Sequence, residues 1–277
     1  MRPAEVARRG ADYLERHGVG SPEANAERLM LSILGIDRAE LVRRRDGLTT
    51  AEARAYGRVL CRRCTGTPLQ HLTGEQAFRH LVLTVRPGVF IPRPETEVVV
   101  DVALAAIDGG AAPSVVDVGT GTGAIGLSIA QEHPGARVWA TDRSHEAVAL
   151  ARENAERLGL DVTVLEGELL EPLPAELRGS LDLVVANPPY VPPDRAPDLP
   201  PEVLADPADA LFAGPELSGR ILDTAAVWLR PEGHVVLEID DEAADAVSGL
   251  ARRSGFADVV VHEDLAGRPR VVAGRRP

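Results

Sequence analysis

Hydrophobic positions change their spacing along the chain, and the first part has the spacing of helices. Through about residue 66 they recur every three or four residues, as in AERLMLSILG, which predicts amphipathic helices. Two helix starts are marked by capping residues, one by Ser21 before a proline and one by Thr49 or Thr50. We therefore predict a small helical domain over residues 1–66.

Glycine and proline interrupt the pattern over residues 67–94. Within this stretch, HLVLTVRPGVFI is rich in β-branched residues, which predicts two short strands joined by a turn at Pro87–Gly88. We interpret residues 67–94 as a hairpin linker.

From Glu95 onward, short apolar runs typical of strands alternate with stretches of helical periodicity. This alternation predicts an α/β domain over residues 95–277, with a parallel sheet covered by helices on both faces. The predicted strands are Ser114–Val118, Arg137–Thr141, Val162–Glu166, Leu181–Ala186, His234–Ile239, Asp258–His262 and Arg270–Ala273. The predicted helices are Glu97–Asp108, Ala124–Glu132, His145–Leu158, Gly219–Leu229 and Ala243–Ser254. Ligands bind such sheets at the carboxyl ends of the strands.

Charge is distributed unevenly along the 277 residues, whose net charge is −12. Residues 1–64 contain 13 arginines against 9 acidic residues, and the remainder contains 17 against 33. The chain has no lysine, which excludes a catalytic lysine. Because an acidic body does not attract a phosphate backbone at long range, we expect no stable binding to nucleic acid.

No segment of the sequence has the features of a membrane anchor or a signal peptide. No apolar run approaches the roughly 20 residues needed to cross a bilayer, and the first residues lack an apolar stretch. We expect a cytoplasmic protein. Cys61 and Cys64 are the only cysteines, and because a metal held by this pair would need two more ligands, we interpret them as ordinary semi-buried thiols and expect no metal site.

The motif VVDVGTGTGAIGLSIA follows a predicted strand and opens a predicted helix. Its glycines Gly119, Gly121 and Gly123 allow a ligand to lie against the main chain. Asp142 stands nineteen residues past Gly123, at the end of the next strand, where its carboxylate can accept both hydrogen bonds of a ribose diol. The glycine loop and Asp142 together predict a nucleoside-binding site.

Two nucleoside cofactors fit this loop. Gly121, Gly123 and Gly126 also satisfy the dinucleotide pattern G-x-G-x-x-G, which leaves an NAD-linked oxidoreductase as an alternative if the loop is taken alone. Asp117, directly before the turn, favours S-adenosylmethionine because a carboxylate there can bind the cationic amino-acid part of that cofactor. The continuation of the site at Asn187 favours it as well.

The second chemical motif is ANPPYV, which begins where the predicted strand Leu181–Ala186 ends. The Asn187 side-chain oxygen and the Pro188 carbonyl can each accept one N–H of a planar NH₂ group and turn its lone pair toward a methyl sulfonium. Proline stiffens the turn, and Tyr190 offers a flat face to a planar group. A plain Asx-Pro turn is the alternative. We interpret the motif as the site of an N-methyltransferase.

Together these motifs resemble the bacterial HemK/PrmC family, the peptide release-factor glutamine methyltransferases. The resemblance covers nearly the whole chain, and the combination of IPRPETE with NPPY is more specific than either motif alone. The segments that carry it are PLQHLTG, FIPRPETE, DVGTGTGAIGLSIA, ATDRSHEAVALARENAERLGL, ANPPYV and DLAGRPRVV.

The resemblance implies a class I S-adenosylmethionine-dependent methyltransferase, with a Rossmann-like seven-stranded sheet whose last strand is antiparallel. It also implies that the N-terminal helices recognise the substrate, and that the methyl acceptor is the glutamine amide in the Gly-Gly-Gln motif of class 1 release factors. The implied cofactor-binding residues are Asp117, Gly119, Thr120, Gly121, Gly123, Asp142, Arg143, Glu168 and Asn187. The implied catalytic residues are Asn187, Pro188 and Tyr190, and the substrate-binding residues are these three with Pro189, Arg93 and Glu95.

Two segments depart from the family pattern. Glu168 stands where the family commonly has an aspartate, and its longer side chain is long enough that we still expect it to reach the adenine amine. Asp206–Pro207 replaces Glu-Pro, and the element before the following helix is altered to Leu217–Gly219. Because these residues should border the substrate, a related enzyme acting on a nucleic-acid base amine, or on a small-metabolite amide or guanidine, stays open as an alternative.

Overall fold

The computed structural model describes residues 1–277, which form two compact units. The first contains residues 1–75 and 199–205, and the second contains residues 76–198 and 206–277. No helix in either unit combines the length and the apolar character needed to cross a membrane.

The first unit is helical, as its periodicity predicts. Its hydrophobic core is formed by one face of each long helix, with Leu14, Leu29, Met30 and Tyr56 almost fully buried. The Tyr56 hydroxyl donates a hydrogen bond to the carbonyl of Ala26 at 3.0 Å, which satisfies the polar end of this buried ring. The helices are α1 (Pro3–Arg16), α2 (Pro22–Leu34), α3 (Arg38–Arg43), α4 (Thr50–Cys64) and α5 (Leu69–Thr73).

Of the two predicted helix starts, one is capped as expected. Thr49 caps α4, because its hydroxyl accepts from the Glu52 N–H at 3.2 Å while the Glu52 carboxylate accepts from the Thr49 N–H at 2.6 Å. Helix α2 does begin after Ser21, but Ser21 has φ of 48° and its side chain makes no capping bond. The cap prediction for Ser21 was therefore wrong, because capping requires extended backbone at this position.

The predicted burial of the two thiols holds for one of them. Cys64 is partly buried, whereas Cys61 is exposed, with its sulfur 3.9 Å from the Tyr13 hydroxyl.

The hairpin turn lies earlier than predicted. Strands β1 (Glu75–Phe78) and β2 (Leu81–Thr84) form a two-stranded sheet joined at Arg79–His80. A turn does occur at Pro87–Gly88, but the prediction that it joins the two strands was wrong. Pro87–Gly88 follows the second strand as part of a loop.

Ion pairs made by Arg79 explain the turn. Arg79 has φ of 49°, a conformation that non-glycine residues rarely adopt. Its guanidinium donates to both oxygens of Glu132 at 2.6 and 2.7 Å and to Asp101 at 2.7 Å. These contacts with residues far along the chain hold the turn, and no local sequence signal marks it.

The second unit contains a seven-stranded sheet in the order β5-β4-β3-β6-β7-β9-β8. The pairs among the first five strands are parallel, and β9 runs antiparallel to both of its neighbours, which confirms the predicted class of fold. The strands are β3 (Ser114–Val118), β4 (Arg137–Asp142), β5 (Val162–Glu166), β6 (Leu181–Ala186), β7 (Leu229–Glu238), β8 (Ala257–Glu263) and β9 (Pro269–Arg275).

Helices cover both faces of this sheet because successive strand residues point to opposite sides. Val116 of β3 packs in the cluster that contains α10 and α11, and Val115 packs in the cluster that contains α6 and α7. The helices are α6 (Glu97–Ala106), α7 (Ala124–Glu132), α8 (His145–Leu158), α9 (Ala208–Leu211), α10 (Pro215–Trp228) and α11 (Ala244–Arg253).

Two element starts in the second unit differ from the prediction by more than one residue. Helix α10 begins at Pro215 instead of Gly219, since Pro215 occupies the first helical turn, where its missing N–H is not needed. Strand β7 begins at Leu229 instead of His234, because Leu229 already pairs with Leu181 before a register shift.

The register of the central strands decides where a ligand can bind. Val118 of β3 pairs with Thr141 of β4 on one side and with Ala186 of β6 on the other. The residues that follow these strands therefore meet at one edge. The chain reverses its direction of strand addition between β3 and β6, and such a switch point is the usual ligand crevice of an open α/β sheet.

Candidate active site

The glycine loop leaves its main chain open on one side. Gly119 and Gly121 have φ of 71° and 56°, and a Cβ atom built on either would meet no atom within 4 Å. A Cβ on Gly123 would instead lie 2.7 Å from a methyl carbon of Leu127. Gly123 is thus required for packing at the start of α7, whereas the first two glycines leave space for a ligand against the backbone.

Asp142 is held on this loop by backbone hydrogen bonds. Its two carboxylate oxygens accept from the N–H of Gly121 and of Ser144, each at 2.9 Å. Burial raises the pKa of Asp142, and the two N–H donors oppose that rise. The carboxylate therefore has a fixed place at the end of β4, as a ribose-binding group requires.

Asp117 has one oxygen that is satisfied and one that is not. Its Oδ2 accepts from the Thr120 hydroxyl at 2.6 Å and from the Gly126 N–H at 3.0 Å. Its Oδ1 is buried without any hydrogen-bond partner, and burial raises the pKa of this carboxyl to about 6. A cationic group beside Oδ1 would supply the missing partner, so Asp117 fits the ammonium of an amino acid. The Thr120 hydroxyl therefore donates its hydrogen bond to Asp117.

Asn187 presents a free acceptor at the end of β6. Its Nδ2 donates to the Thr96 hydroxyl at 3.1 Å, while its Oδ1 makes no hydrogen bond within the chain. The carbonyl of Pro188 also accepts none. Two acceptors without partners therefore stand in consecutive residues, next to the strand that carries the glycine loop. Pro189 follows them, partly exposed.

Tyr190 is tethered by a residue that sequence reasoning missed. Its hydroxyl donates to Glu238 Oε1 at 3.1 Å, and Glu238 is only 2% exposed at the end of β7. Burial raises the pKa of Glu238 to about 7, against the opposing effect of the Thr96 and Tyr190 hydroxyls. A signal was present in the sequence, because Glu238 is a carboxylate inside the apolar run VVLEI. Thr96, within PETE, was missed as well.

The two predicted residues in the loop before α6 form ion pairs inside the chain. Arg93 pairs with the buried carboxylate of Asp206 and lies over the Phe90 ring, 5.2 Å from its centroid. Glu95 lies 3.8 Å from Arg268. Asp206 thus anchors the loop that carries Arg93, and neither loop residue bonds directly to Asn187.

Arg143 and Glu168 also have partners. The Arg143 guanidinium lies 3.4 Å from Asp209 and is 59% exposed. Glu168 accepts from Arg220 at 2.7 Å. The Gly167 N–H donates to the Asp142 carbonyl at 2.9 Å, which places Glu168 close to the end of β4. No group of three or more potential ligands for a metal ion occurs in the structure.

Comparison with protein families and relatives identifies the same two parts. Residues 5–74 match the PrmC N-terminal domain, and residues 81–218 match the methyltransferase small domain. A release factor glutamine methyltransferase of Moorella thermoacetica is 43% identical, with 91% of each chain covered. One from Deinococcus radiodurans is 42% identical over 95% of this chain and 94% of its own, and one from Mycolicibacterium smegmatis is 43% identical over 94% and 92%.

Solved structures agree on the fold of the sheet. A ribosomal protein L11 methylase from Lactobacillus delbrueckii subsp. bulgaricus has a TM-score of 0.52 at 23% identity, covering 72% of this chain and 96% of its own. The T. thermophilus 16S rRNA N2 G1207 methyltransferase, solved with AdoMet and guanosine, has a TM-score of 0.55 at 19% identity, covering 73% and 50%. At this identity the likeness concerns the fold alone.

Proposed function

The chain belongs to the release factor glutamine methyltransferase family, and we propose that it methylates the side-chain amide nitrogen of the Gly-Gly-Gln glutamine in class 1 peptide release factors, using S-adenosylmethionine. The observation that carries this proposal is the pair of free acceptors in consecutive residues. Asn187 Oδ1 and the Pro188 carbonyl are the complement of an NH₂ group with two hydrogens.

These acceptors address the main difficulty of the reaction. The lone pair of an amide nitrogen is delocalised, so the nitrogen is a poor nucleophile. When both N–H bonds are accepted by Asn187 and Pro188, the lone pair is aimed out of their plane, and the positive charge that develops on nitrogen is stabilised. Methyl transfer would form the new N–C bond as the C–S bond of the donor breaks, and the nitrogen would then lose one proton to solvent.

The residues of the glycine loop would hold the cofactor. Asp142 would accept from the ribose diol, Asp117 Oδ1 from the ammonium, and Gly119 and Gly121 would leave space for the nucleoside. S-adenosylmethionine supplies a methyl group on a cationic sulfur that leaves as a neutral thioether. Glu168 would reach the adenine amine, and Arg143 would border the same site.

Residues outside the sheet would recognise the substrate. We assign this role to the helical domain of residues 1–66, with residues 67–94 as a linker and residues 95–277 as the methyltransferase domain. Tyr190 and Pro189 would contact the planar amide. Arg93 and Glu95 would close the site through their ion pairs with Asp206 and Arg268.

A labelling experiment tests the function. The protein is incubated with methyl-labelled S-adenosylmethionine and a purified release factor, its Gly-Gly-Gln glutamine→Ala version, or RNA. We expect label on the release factor alone, and none on the glutamine→Ala version. Label only on RNA would overturn the proposal in favour of a base amine. Calorimetry with S-adenosylhomocysteine and with NAD provides the second test, in which preferential binding of NAD would exclude a methyltransferase.

A further inference from the structure

We propose that Thr96 and Glu238 are positioning residues, which fix the Asn187 carboxamide with its oxygen turned toward the methyl-accepting amide. The inference rests on the proposed function and deepens it, because it identifies the groups that decide which atom of Asn187 the substrate meets. Both residues are buried, each 2% exposed.

The contact between Asn187 and Thr96 does not by itself fix the orientation of the carboxamide. A hydroxyl can donate one hydrogen bond and accept others, whereas a carboxamide has a donor end and an acceptor end. The separation of 3.1 Å between the Asn187 amide and the Thr96 oxygen suits either orientation of the carboxamide. What selects one orientation is the direction of the Thr96 proton. If the Thr96 hydroxyl donates its proton to another acceptor, its oxygen can only accept from Asn187, so the NH₂ end of Asn187 must face Thr96.

Glu238 provides the acceptor for that proton. Its Oε1 accepts from the Tyr190 hydroxyl, and its Oε2 is buried without a hydrogen-bond partner. A hydrogen bond from the Thr96 hydroxyl would satisfy that oxygen, and Thr96 already opposes the rise in the Glu238 pKa that burial causes. When it is ionised, this carboxylate only accepts hydrogen bonds, so it draws the Thr96 proton toward itself. The Thr96 oxygen then accepts from Asn187, and Asn187 Oδ1 is left for the substrate.

The topology explains how these residues meet. Ala186 pairs with Leu237, so Asn187 and Glu238 each follow directly on paired positions of β6 and β7. Thr96 comes from the short 3₁₀ turn Pro94–Thr96, which leads into α6. One buried carboxyl thereby orients the side chains of both Asn187 and Tyr190.

Substitution of Thr96 separates positioning from a merely structural role. For Thr96→Val we expect kcat with a release factor to fall about 10-fold or more, as for a lost orienting hydrogen bond, while the affinity for S-adenosylhomocysteine stays within about twofold. Thr96→Ser should restore most of the activity. Ser248→Ala is the matched control, because Ser248 is also a buried hydroxyl but lies in α11, where it has no hydrogen-bond partner. An unchanged kcat in Thr96→Val would overturn the inference.

A double-mutant cycle tests whether Thr96 acts through Asn187. We expect Asn187→Ala alone to lower kcat by roughly 10²-fold, as loss of a transition-state contact should. In the Asn187→Ala background, Thr96→Val should then have no further effect. If kcat of the double variant falls by the product of the two separate effects, Thr96 acts independently of Asn187 and the assignment is overturned.

A third measurement needs no substrate. The ¹H–¹⁵N signals of the Asn187 carboxamide, assigned by their absence in Asn187→Ala, should shift and exchange faster with solvent in Thr96→Val, and shift in Glu238→Gln. If these signals respond while release factors receive no label, the proposed function fails and the positioning of Asn187 stands. If the signals stay unchanged in both variants, the positioning is refuted whatever the substrate. Glu238→Gln preserves shape, so it keeps the test valid if Thr96→Val folds poorly.

Discussion

At the scale of single residues, the candidate site depends on buried carboxyl groups whose hydrogen bonding is incomplete. Asp117 and Glu238 are each almost fully buried, and each has one oxygen without a hydrogen-bond partner. Leaving a buried polar atom unpaired costs about 1–3 kcal/mol. Groups of this kind concentrate at functional sites, because the same burial that lowers stability prepares them to bind a ligand.

Asp117 should make cofactor affinity depend on pH. Burial raises its pKa to about 6, so the free protein holds this carboxyl protonated below pH 6 and ionised above it. Binding an ammonium requires the ionised form, and we therefore expect the Kd for S-adenosylhomocysteine to rise by up to about tenfold per pH unit below pH 6. Calorimetry between pH 5 and 8 measures this change of the Kd with pH. Asp117→Asn should bind weakly with a flat profile, and a flat profile in the unaltered protein would contradict this role.

Glu238 should lower stability at neutral and alkaline pH. Its pKa is about 7 in the folded chain against 4.5 for an ordinary glutamate, chiefly through burial, with Arg270 lowering and Glu95 raising it. The folded state therefore binds more protons between pH 4.5 and 7, and the free energy of unfolding falls as pH rises through that range. The full cost above pH 7 is about 3 kcal/mol by linkage.

The test is urea unfolding of Glu238→Gln at two pH values. We expect the free energy of unfolding to increase by about 1–3 kcal/mol at pH 8, and the gain to vanish near pH 4. Glu232→Gln is the control, since Glu232 is an exposed residue of the same strand. A loss of stability at pH 8 in Glu238→Gln would show that the ionised carboxylate is well solvated or well paired.

At the scale of elements, the loop between β3 and α7 needs glycine for two reasons. Its backbone is left-handed, and a side chain would fill space next to the main chain. Only the second reason concerns a ligand. Gly121 and Gly159 both have left-handed φ, of 56° and 65°, and a Cβ atom added to either would have no neighbour within 4 Å. Gly159 ends α8, whereas Gly121 also donates its N–H to Asp142. Both positions therefore require a residue that tolerates positive φ, but only Gly121 lies where we propose that the cofactor binds.

Alanine substitutions should separate these demands. Both Gly121→Ala and Gly159→Ala should lower the free energy of unfolding by about 1 kcal/mol, because each places a side chain at positive φ. Only Gly121→Ala should also weaken binding of S-adenosylhomocysteine, by about 10-fold or more, as expected if a methyl group occupies space reserved for the ligand. Equal affinities for the two variants, measured by calorimetry, would place the cofactor elsewhere.

At the scale of the whole molecule, the chain leaves the second unit after Asp198 and returns to it at Asp206. The intervening residues 199–205 belong to the first unit, where Glu202 accepts from the buried Arg63 at 2.7 Å. Arg63 also donates to Asn25 at 2.7 Å, so one side chain joins two helices and this segment. Arg63 thus bonds in three directions, the third being the Thr67 carbonyl, and its ion pair with Glu202 ties the segment to the helices.

Arg63→Ala should loosen the segment. We expect the free energy of unfolding to fall by about 2–4 kcal/mol, because the substitution removes buried volume and leaves the Asn25 oxygen unpaired. Cleavage by thermolysin within residues 199–205 should become faster. Arg62→Ala, at the neighbouring exposed position without an ion pair, should change stability by less than about 0.5 kcal/mol. If both variants unfold alike, Arg63 does not hold the segment.

The sequence by itself determined most of the elements and the two chemical motifs. Strands β3, β5 and β6 and helices α7 and α8 have the predicted bounds, because apolar runs, glycines and caps are local signals. The position of Asn187 directly after a buried strand also followed from the local pattern. The family and its reaction were recognisable for the same reason, since its motifs are short contiguous segments.

Only the tertiary structure decided which side chains meet around those motifs. The turn at Arg79 depends on Glu132, 53 residues away, and no local turn signal marks it. Asn187 bonds to Thr96 across 91 residues, and Tyr190 bonds to Glu238 across 48. Sequence periodicity reports which face of an element is buried, but strand order and register determine which buried polar groups become neighbours. The buried carboxyl beside the proposed catalytic amide is therefore a product of the sheet.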